Sequence, residues 1–245
     1  MDSKERFSDT VEDYRRYRPD YPAAFFDWLL IEAELEPGQL VVDVGCGTGI
    51  SSRQLAARGL DVVGLDPNEA MLAAARAEGG GVRYVQGDAE VLPVEVDRCD
   101  AIVGGQSFHW LDLDRALPRF EEVLRPNGRV VAFWNLRDPT DPLMAAYEAL
   151  LLERAPGYAA VGAEPRAAAV AARVDAREAT FAHGQTLDRA AFHGRVWSSS
   201  YVRHGVVDAP AFNAELDRLF ETHERDGQVR FVYRTMALSF PPLVA

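Results

Sequence analysis

Hydrophobic positions in the first half of the chain fall into short blocks separated by amphipathic stretches. Leu40-Val41-Val42-Asp43-Val44, Val62-Val63-Gly64-Leu65, Val82-Arg83-Tyr84-Val85-Gln86, Ala101-Ile102-Val103-Gly104-Gly105 and Arg129-Val130-Val131-Ala132-Phe133 each read as a buried strand. Between them the spacing turns helical. Ser51, Ser52, Leu55 and Ala56 open a helix that stops at Gly59, and Leu113, Ala116, Leu117, Phe120 and Leu124 form a core-facing stripe that ends at Arg125-Pro126-Asn127-Gly128. Ahead of the first strand, Phe25, Trp28 and Leu29 mark the apolar face of another helix. Strands alternating with helices predict an α/β fold around a mostly parallel sheet.

The second half is less regular. Pro142 to Arg154 reads as a helix, and residues 155–179 are rich in Ala and punctuated by Pro156, Gly157, Gly162 and Pro165. That stretch predicts a short helix with mobile flanks, in the position of a lid. Thr180–Leu187 reads as a sixth strand; Asp208 and Pro210 start a helix carrying Phe212, Leu216, Leu219 and Phe220. From Gln228 to Leu238, Val229, Phe231 and Tyr233 alternate with Arg230 and Arg234, a half-buried last strand. One domain accounts for all of this. It divides into an N-terminal arm and helix (1–36), a core (37–136), a cap with strand six (137–225) and a final strand and tail (226–245). No internal repeat is present.

Candidate chemistry concentrates where the first strand ends, in Gly45-Cys46-Gly47-Thr48-Gly49. A strand, a glycine turn and a helix N-terminus let backbone N–H groups approach a nucleotide-like ligand without side chains in the way. A phosphate-gripping loop needs Lys and Ser or Thr after its last glycine, and Ile50-Ser51-Ser52 stands there instead. A dinucleotide fingerprint would put its third glycine at Ile50. Asp43 inside the strand is expensive unless donors or positive charge meet it. Taken together, Asp43-Val44-Gly45-Cys46-Gly47-Thr48-Gly49 resembles the first motif of the class I S-adenosylmethionine-dependent methyltransferases. The spelling of the arm, Phe7-Ser8, Tyr14 and Arg18-Pro19-Asp20-Tyr21-Pro22, and of Trp197-Ser198-Ser199-Ser200-Tyr201 is similar to the trans-aconitate methyltransferase-like group.

That resemblance implies a seven-stranded Rossmann-like sheet in the order 3-2-1-4-5-7-6 with the last strand antiparallel, helices on both faces and a small helical cap. It implies S-adenosylmethionine as cofactor. The glycine turn (Gly45, Cys46, Gly47, Gly49) and Asp43 would hold it, together with Asp66, Pro67 and Met71 after strand two, Asp88 and Ala89 after strand three, and Gln106 and Ser107 after strand four. Asp66, about 20 residues past the glycines, can accept ribose hydroxyls, or can simply cap the helix that follows. Asp88 takes the adenine position. Tyr14 and Arg18 would close the arm over the donor, or belong to a helix docked for stability. His109 is the candidate base, or a packing histidine. Trp110, Trp134, Arg137, Arg195 and Trp197 are the candidate acceptor contacts, the arginines because a guanidinium grips carboxylate in bidentate geometry.

Composition narrows the partners. With 26 Lys and Arg against 38 Asp and Glu in 245 residues, the formal charge of −12 argues against nucleic acid or an anionic membrane as partner. Met1 to Thr10 lacks an apolar signal core and no apolar run reaches spanning length, so the reading is cytoplasmic. Cys46 and Cys99 form no metal or disulfide pattern, and His183, His193, His204 and His223 show no metal spacing. The expectation is a monomer or homodimer that methylates a small-molecule acceptor on oxygen, with carboxylate favoured by family likeness. N- or C-methylation of a secondary metabolite, a non-catalytic cofactor-binding regulator and, more distantly, an NAD-dependent oxidoreductase stand as alternatives.

Overall fold

The computed structural model describes residues 16–93, 98–160 and 163–242. Seven strands form one sheet in the order β3-β2-β1-β4-β5-β7-β6. They are β1 Leu40–Val44, β2 Asp61–Asp66, β3 Arg83–Gln86, β4 Cys99–Gly105, β5 Leu124–Arg137, β6 Arg177–Asp188 and β7 Gln228–Phe240. Strands β1 to β5 pair in parallel, and β7 runs antiparallel to both β5 and β6. The described helices are α1 Ala23–Glu32, α2 Ile50–Ala56, α3 Glu69–Ala77, α4 Leu113–Val123, α5 Pro142–Arg154, α6 Ala163–Ala171, α7 Arg189–Trp197, α8 Ser200–Gly205 and α9 Ala209–His223. The order expected from the family resemblance is the order found.

Local chemistry sets the element ends. The side chains of Asn68, Asp112, Asp141, Asp188 and Asp208 each accept from first-turn N–H groups of the helix they precede. Strand β5 begins earlier than the hydrophobic block suggests. Leu124 already pairs with Cys99, and Arg125–Gly128 bulge out before Arg129 pairs with Ala101. The bulge includes Asn127 in the left-handed region, at φ 68°.

The pleat sorts side chains into opposite cores. Val42, Val44, Ile102, Val130 and Trp134 face one side, where they meet Leu117 and Phe120 of α4. Val41, Val103, Val131 and Phe133 face the other, against Phe25, Phe26 and Leu29 of α1. A third cluster joins α5, α7 and α9 to Phe231 and Tyr233 of β7, which makes the cap an extension of the sheet. Residues 155–179 correct the lid expectation. Ala167, Val170 and Val174 are buried in the first core, because α6 has an apolar side that the sheet covers. Among the described residues no helix is long and apolar enough to cross a membrane.

Phe133 joins the arm, α1 and the sheet. Its ring meets Tyr21 edge-on at 4.7 Å and lies 4.5 Å from Phe25, and a Cβ at Gly105 would sit 2.7 Å from it. Phe133→Ala should lower unfolding free energy by about 3–5 kcal/mol, read from urea denaturation.

Candidate active site

The carboxyl ends of β1, β2, β4 and β5 open onto a two-lobed cleft, the usual place for a ligand in a doubly wound sheet. Gly45, Gly47, Gly105, Gln106 and Trp110 line both lobes, so the lobes are continuous. The first lobe adds Asp66, Pro67, Met71, Asp88, Ala89 and Ser107, and the second adds Arg18, Cys46, Thr48, His109, Arg137 and Arg195.

Several contacts hold the rim in shape. Ser107 Oγ donates to the Val44 carbonyl at 2.7 Å, and a Cβ on Gly45 would lie 2.5 Å from Ser107 Cβ. Only glycine lets β1 and β4 come this close. Asp66 accepts from Gly47 N at 2.8 Å with one oxygen and from Asn68 N at 2.8 Å with the other. Both carboxylate oxygens therefore brace the turn and the start of α3 while Asp66 also faces the cleft. Gln106 is held at φ 60°, an uncommon conformation for a side-chain-bearing residue, by Gln106 N donating to the Phe133 carbonyl and Nε2 to the Asn135 carbonyl.

Four expected site residues stand elsewhere. Asp43 is fully buried behind the turn, where one oxygen accepts from Ser51 Oγ at 2.7 Å and Ser52 Oγ at 2.6 Å. It ties α2 to β1 and does not line the cleft. Burial pushes its carboxyl up to about 6; the two serine hydroxyls oppose the rise and the charge of Asp66 adds to it. Gly49 caps α2 with φ 75°, and a Cβ there would strike the Tyr84 hydroxyl at 2.1 Å, so it serves packing. Trp134 is fully buried, because the pleat turns it to the face of the sheet opposite that of Phe133 and the cleft-lining Asn135. Trp197 packs on Phe212 and donates to Asn213 inside the cap, two residues round the helix from Arg195. Tyr14 lies outside the described residues.

His109 is on the wall, but as a donor. The Trp134 indole can only donate, and it donates to His109 Nδ1 at 3.2 Å. The proton of the neutral imidazole therefore sits on Nε2. The arm closes the second lobe from above. Gln185 donates to the Tyr17 carbonyl, Asn135 to the Asp20 carbonyl, and Arg18 to the Ser198 carbonyl at 3.3 Å. The Tyr17 ring lies where a Cβ on Gly194 would stand.

Residues that the sequence did not single out complete the second lobe. Tyr21, Asn135, Ser200, Tyr201 and Tyr233 line it. Asn135 could have been found from its two-residue spacing with Arg137 at a strand end. Tyr201 belongs to the Trp-Ser-Ser-Ser-Tyr segment, whose spelling alone gives no direction. Arg137 donates to Glu148 at 2.7 Å, to Tyr201 at 3.0 Å and to the Tyr158 hydroxyl, and Tyr158 donates to Glu148 at 2.7 Å. Arg195 is buried; it donates to Tyr233 at 2.9 Å and Ser199 at 3.3 Å.

The cleft suits an adenosyl amino acid. A Cβ on Gly47 would meet nothing within 4 Å, so the glycine turn leaves open space at its apex. Thr48 Oγ1 is buried without a protein partner on the wall of the second lobe. Asp66 and Asp88 stand on the far side, beside the apolar Met71 and Ala89. A glycine cradle, acids for hydroxyls and a buried hydroxyl for a polar head group match the parts of S-adenosylmethionine.

Comparison with known proteins agrees with this geometry. A family model described as a methyltransferase domain matches residues 42–132. A trans-aconitate 2-methyltransferase of Methylobacterium radiotolerans is 36% identical over 188 residues, 75% of this chain and 68% of that protein. An uncharacterized methyltransferase of Mycobacterium tuberculosis is 42% identical over 132 residues, 54% of this chain and 53% of its own length. The chain thus spans about half the length of that relative. A solved structure from Anaeromyxobacter dehalogenans, assigned to the type II methyltransferases, superposes with a TM-score of 0.72 at 24% identity, covering 93% of this chain and 99% of its own, a likeness of fold. The chain belongs to the class I S-adenosylmethionine-dependent methyltransferases, and S-adenosylmethionine is the cofactor of that family.

Two outcomes follow from the cradle. Gly47→Val should weaken S-adenosylhomocysteine binding by at least about 10- to 100-fold, the roughly 1–3 kcal/mol that overfilling a site costs, to which the left-handed φ of 55° adds strain in the turn. Calorimetric titration showing unchanged affinity would move the cofactor off the glycine turn. Asp43 has a folded pKa raised from 3.8 to about 6, so its contribution is fully present below 3.8 and is lost as pH rises through 6. Relative to Asp43→Asn, the wild type should therefore lose about 2 kcal/mol of unfolding free energy between about pH 4 and pH 7, read by urea denaturation.

Proposed function

We propose that this chain transfers the methyl group of S-adenosylmethionine to an oxygen of a small anionic acceptor, a carboxylate. The observation that carries this reading is Arg195. Its side chain is buried on the wall of the second lobe, and its hydrogen bonds go to the neutral hydroxyls of Tyr233 and Ser199. Arg137, by contrast, is ion-paired with Glu148. A buried cation whose partners are neutral is costly, and an anionic acceptor beside it would offset the cost.

The chemistry fits the wall residues. When bound, S-adenosylmethionine supplies a methyl group already activated on a sulfonium. A carboxylate is already a nucleophile, so this chain needs to orient it rather than deprotonate it. Arg195 anchors the acceptor, and the Nε2–H of His109 can hydrogen-bond an acceptor oxygen. Arm residues 17–20, held on β5, β6 and the α7–α8 junction, exclude water from the lobe. The names of two relatives lend support. One is the trans-aconitate 2-methyltransferase, and the other is a malonyl-[acyl-carrier protein] O-methyltransferase of Pectobacterium atrosepticum, 40% identical over 102 residues, 41% of this chain and 40% of that protein. Aconitate and a malonyl group both carry carboxylates.

The test is methyl transfer from labelled donor to a panel of carboxylic acids, phenols, alcohols and amines. Acids should be methylated and the product should be an ester. Arg195→Met should raise KM for the acid by about 100-fold, the equivalent of roughly 3 kcal/mol for charge-assisted hydrogen bonds, with a smaller change in kcat. Turnover of amines or neutral alcohols alone, indifferent to Arg195, would refute the carboxylate reading.

A further inference from the structure

The Trp-Ser-Ser-Ser-Tyr segment reaches the cleft at Ser200 and Tyr201, in the first turn of α8, and of the two only Tyr201 meets a guanidinium there. Its hydroxyl accepts from Arg137 Nη1 at 3.0 Å, and its ring lies 4.8 Å from that of Tyr158. The groups that face it come from every neighbouring element: Arg18 of the arm, Arg137 of β5, Tyr147 of α5, Tyr158 after α5, Arg195 of α7, and Ser199 ahead of α8, with Glu148 of α5 behind Arg137 and Tyr158. Three phenols share these cations, and their fates differ. Burial pushes Tyr147 and Tyr158 up, and the guanidinium groups do not reverse it. Burial also pushes Tyr201 up, but there Arg137, Arg195 and Arg18 prevail and bring it down from 10 to about 7. Of the three positions, the Tyr201 oxygen is the one where the lobe favours a negative charge.

We propose that Tyr201 is the specificity-determining residue of the second lobe. Its oxygen and an anionic oxygen of the acceptor compete for the guanidinium groups of Arg137 and Arg195, so an anionic acceptor binds the form in which Tyr201 keeps its proton. The proposal rests on the carboxylate reading above and adds a determinant that the reading does not require. When Tyr201 is a phenol, its O–H can turn and donate to the acceptor while both cations attract it. When Tyr201 is a phenolate, it occupies those cations itself. Linkage then fixes the pH dependence. Above the Tyr201 pKa, affinity for an anion falls tenfold per pH unit, and binding of the anion takes up one proton.

The experiment is a phenolate absorbance titration of the full chain with S-adenosylhomocysteine present, between about pH 6 and 9, where ordinary tyrosines stay protonated. It is run with and without a series of mono-, di- and tricarboxylates. One tyrosine should titrate in this range, and at least one acid should suppress the signal and bind tenfold more weakly per pH unit above it. Tyr201→Phe should lose both the signal and the pH dependence of acid binding while still binding S-adenosylhomocysteine; if that variant does not fold, the wild-type titration decides. No tyrosine titrating below about pH 9, or one that ignores every acid, overturns the proposal. Acid-suppressed phenolate without methyl transfer to any acid would instead leave Tyr201 in place and overturn the proposed function.

Discussion

The hydroxyl of Ser107 on the carbonyl of Val44 sets the spacing between the carboxyl ends of β1 and β4, and the rest of the cleft is measured from it. With that contact made, Gly45 has no room for a side chain, and the turn must leave the strand in a left-handed conformation. The turn in turn needs its N–H groups met. Asp66 meets that of Gly47, and Asp43 ties the serines of α2 to the strand behind. Asp66 thus uses both carboxylate oxygens on backbone donors of the protein itself, and Asp43 uses one oxygen on two hydroxyls while the other stays buried without a partner. Their cost is borne because they hold a polar turn rigid in an apolar sheet.

The two lobes handle charge in opposite ways. The first is acidic, with Asp66 and Asp88 on its wall, and needs no counter-cation because backbone donors and a ligand's hydroxyls can satisfy carboxylates. The second collects Arg18, Arg137 and Arg195 in a protein whose formal charge is −12. Net charge describes the solvent-facing surface, and the cleft escapes it because β5, α7 and the arm each contribute one guanidinium to a shared space. Glu148 and the ring of tyrosines keep these cations apart and oriented.

What could be read from sequence was local. The glycine turn, the acids at strand ends and the alternation of strands and helices depend on neighbours within a few residues, and the structure sets out the expected sheet order. Errors came where direction mattered more than position. Trp134 and Arg137 both lie near the end of β5, yet an odd separation on a pleated strand sends them to opposite faces. Trp197 sits two residues from Arg195, which on a helix is just over a half turn, and it points into the cap. Asn135 obeys the same period-two rule as Arg137 and was within reach of it. Tyr201 and Tyr233 were not, because they meet Arg137 and Arg195 only through packing of the cap on β7, more than 30 residues away in either case.

The indole of Trp134 has a reach beyond packing. By occupying one nitrogen of His109 it decides which end of the imidazole carries hydrogen, and so whether the ring gives or takes a proton-sharing contact. A phenylalanine in its place would release that nitrogen and let the tautomer invert. The same pocket could then draw hydrogen away from an alcohol. One core side chain, invisible from the cleft, in this way sets which nitrogen of the imidazole carries hydrogen.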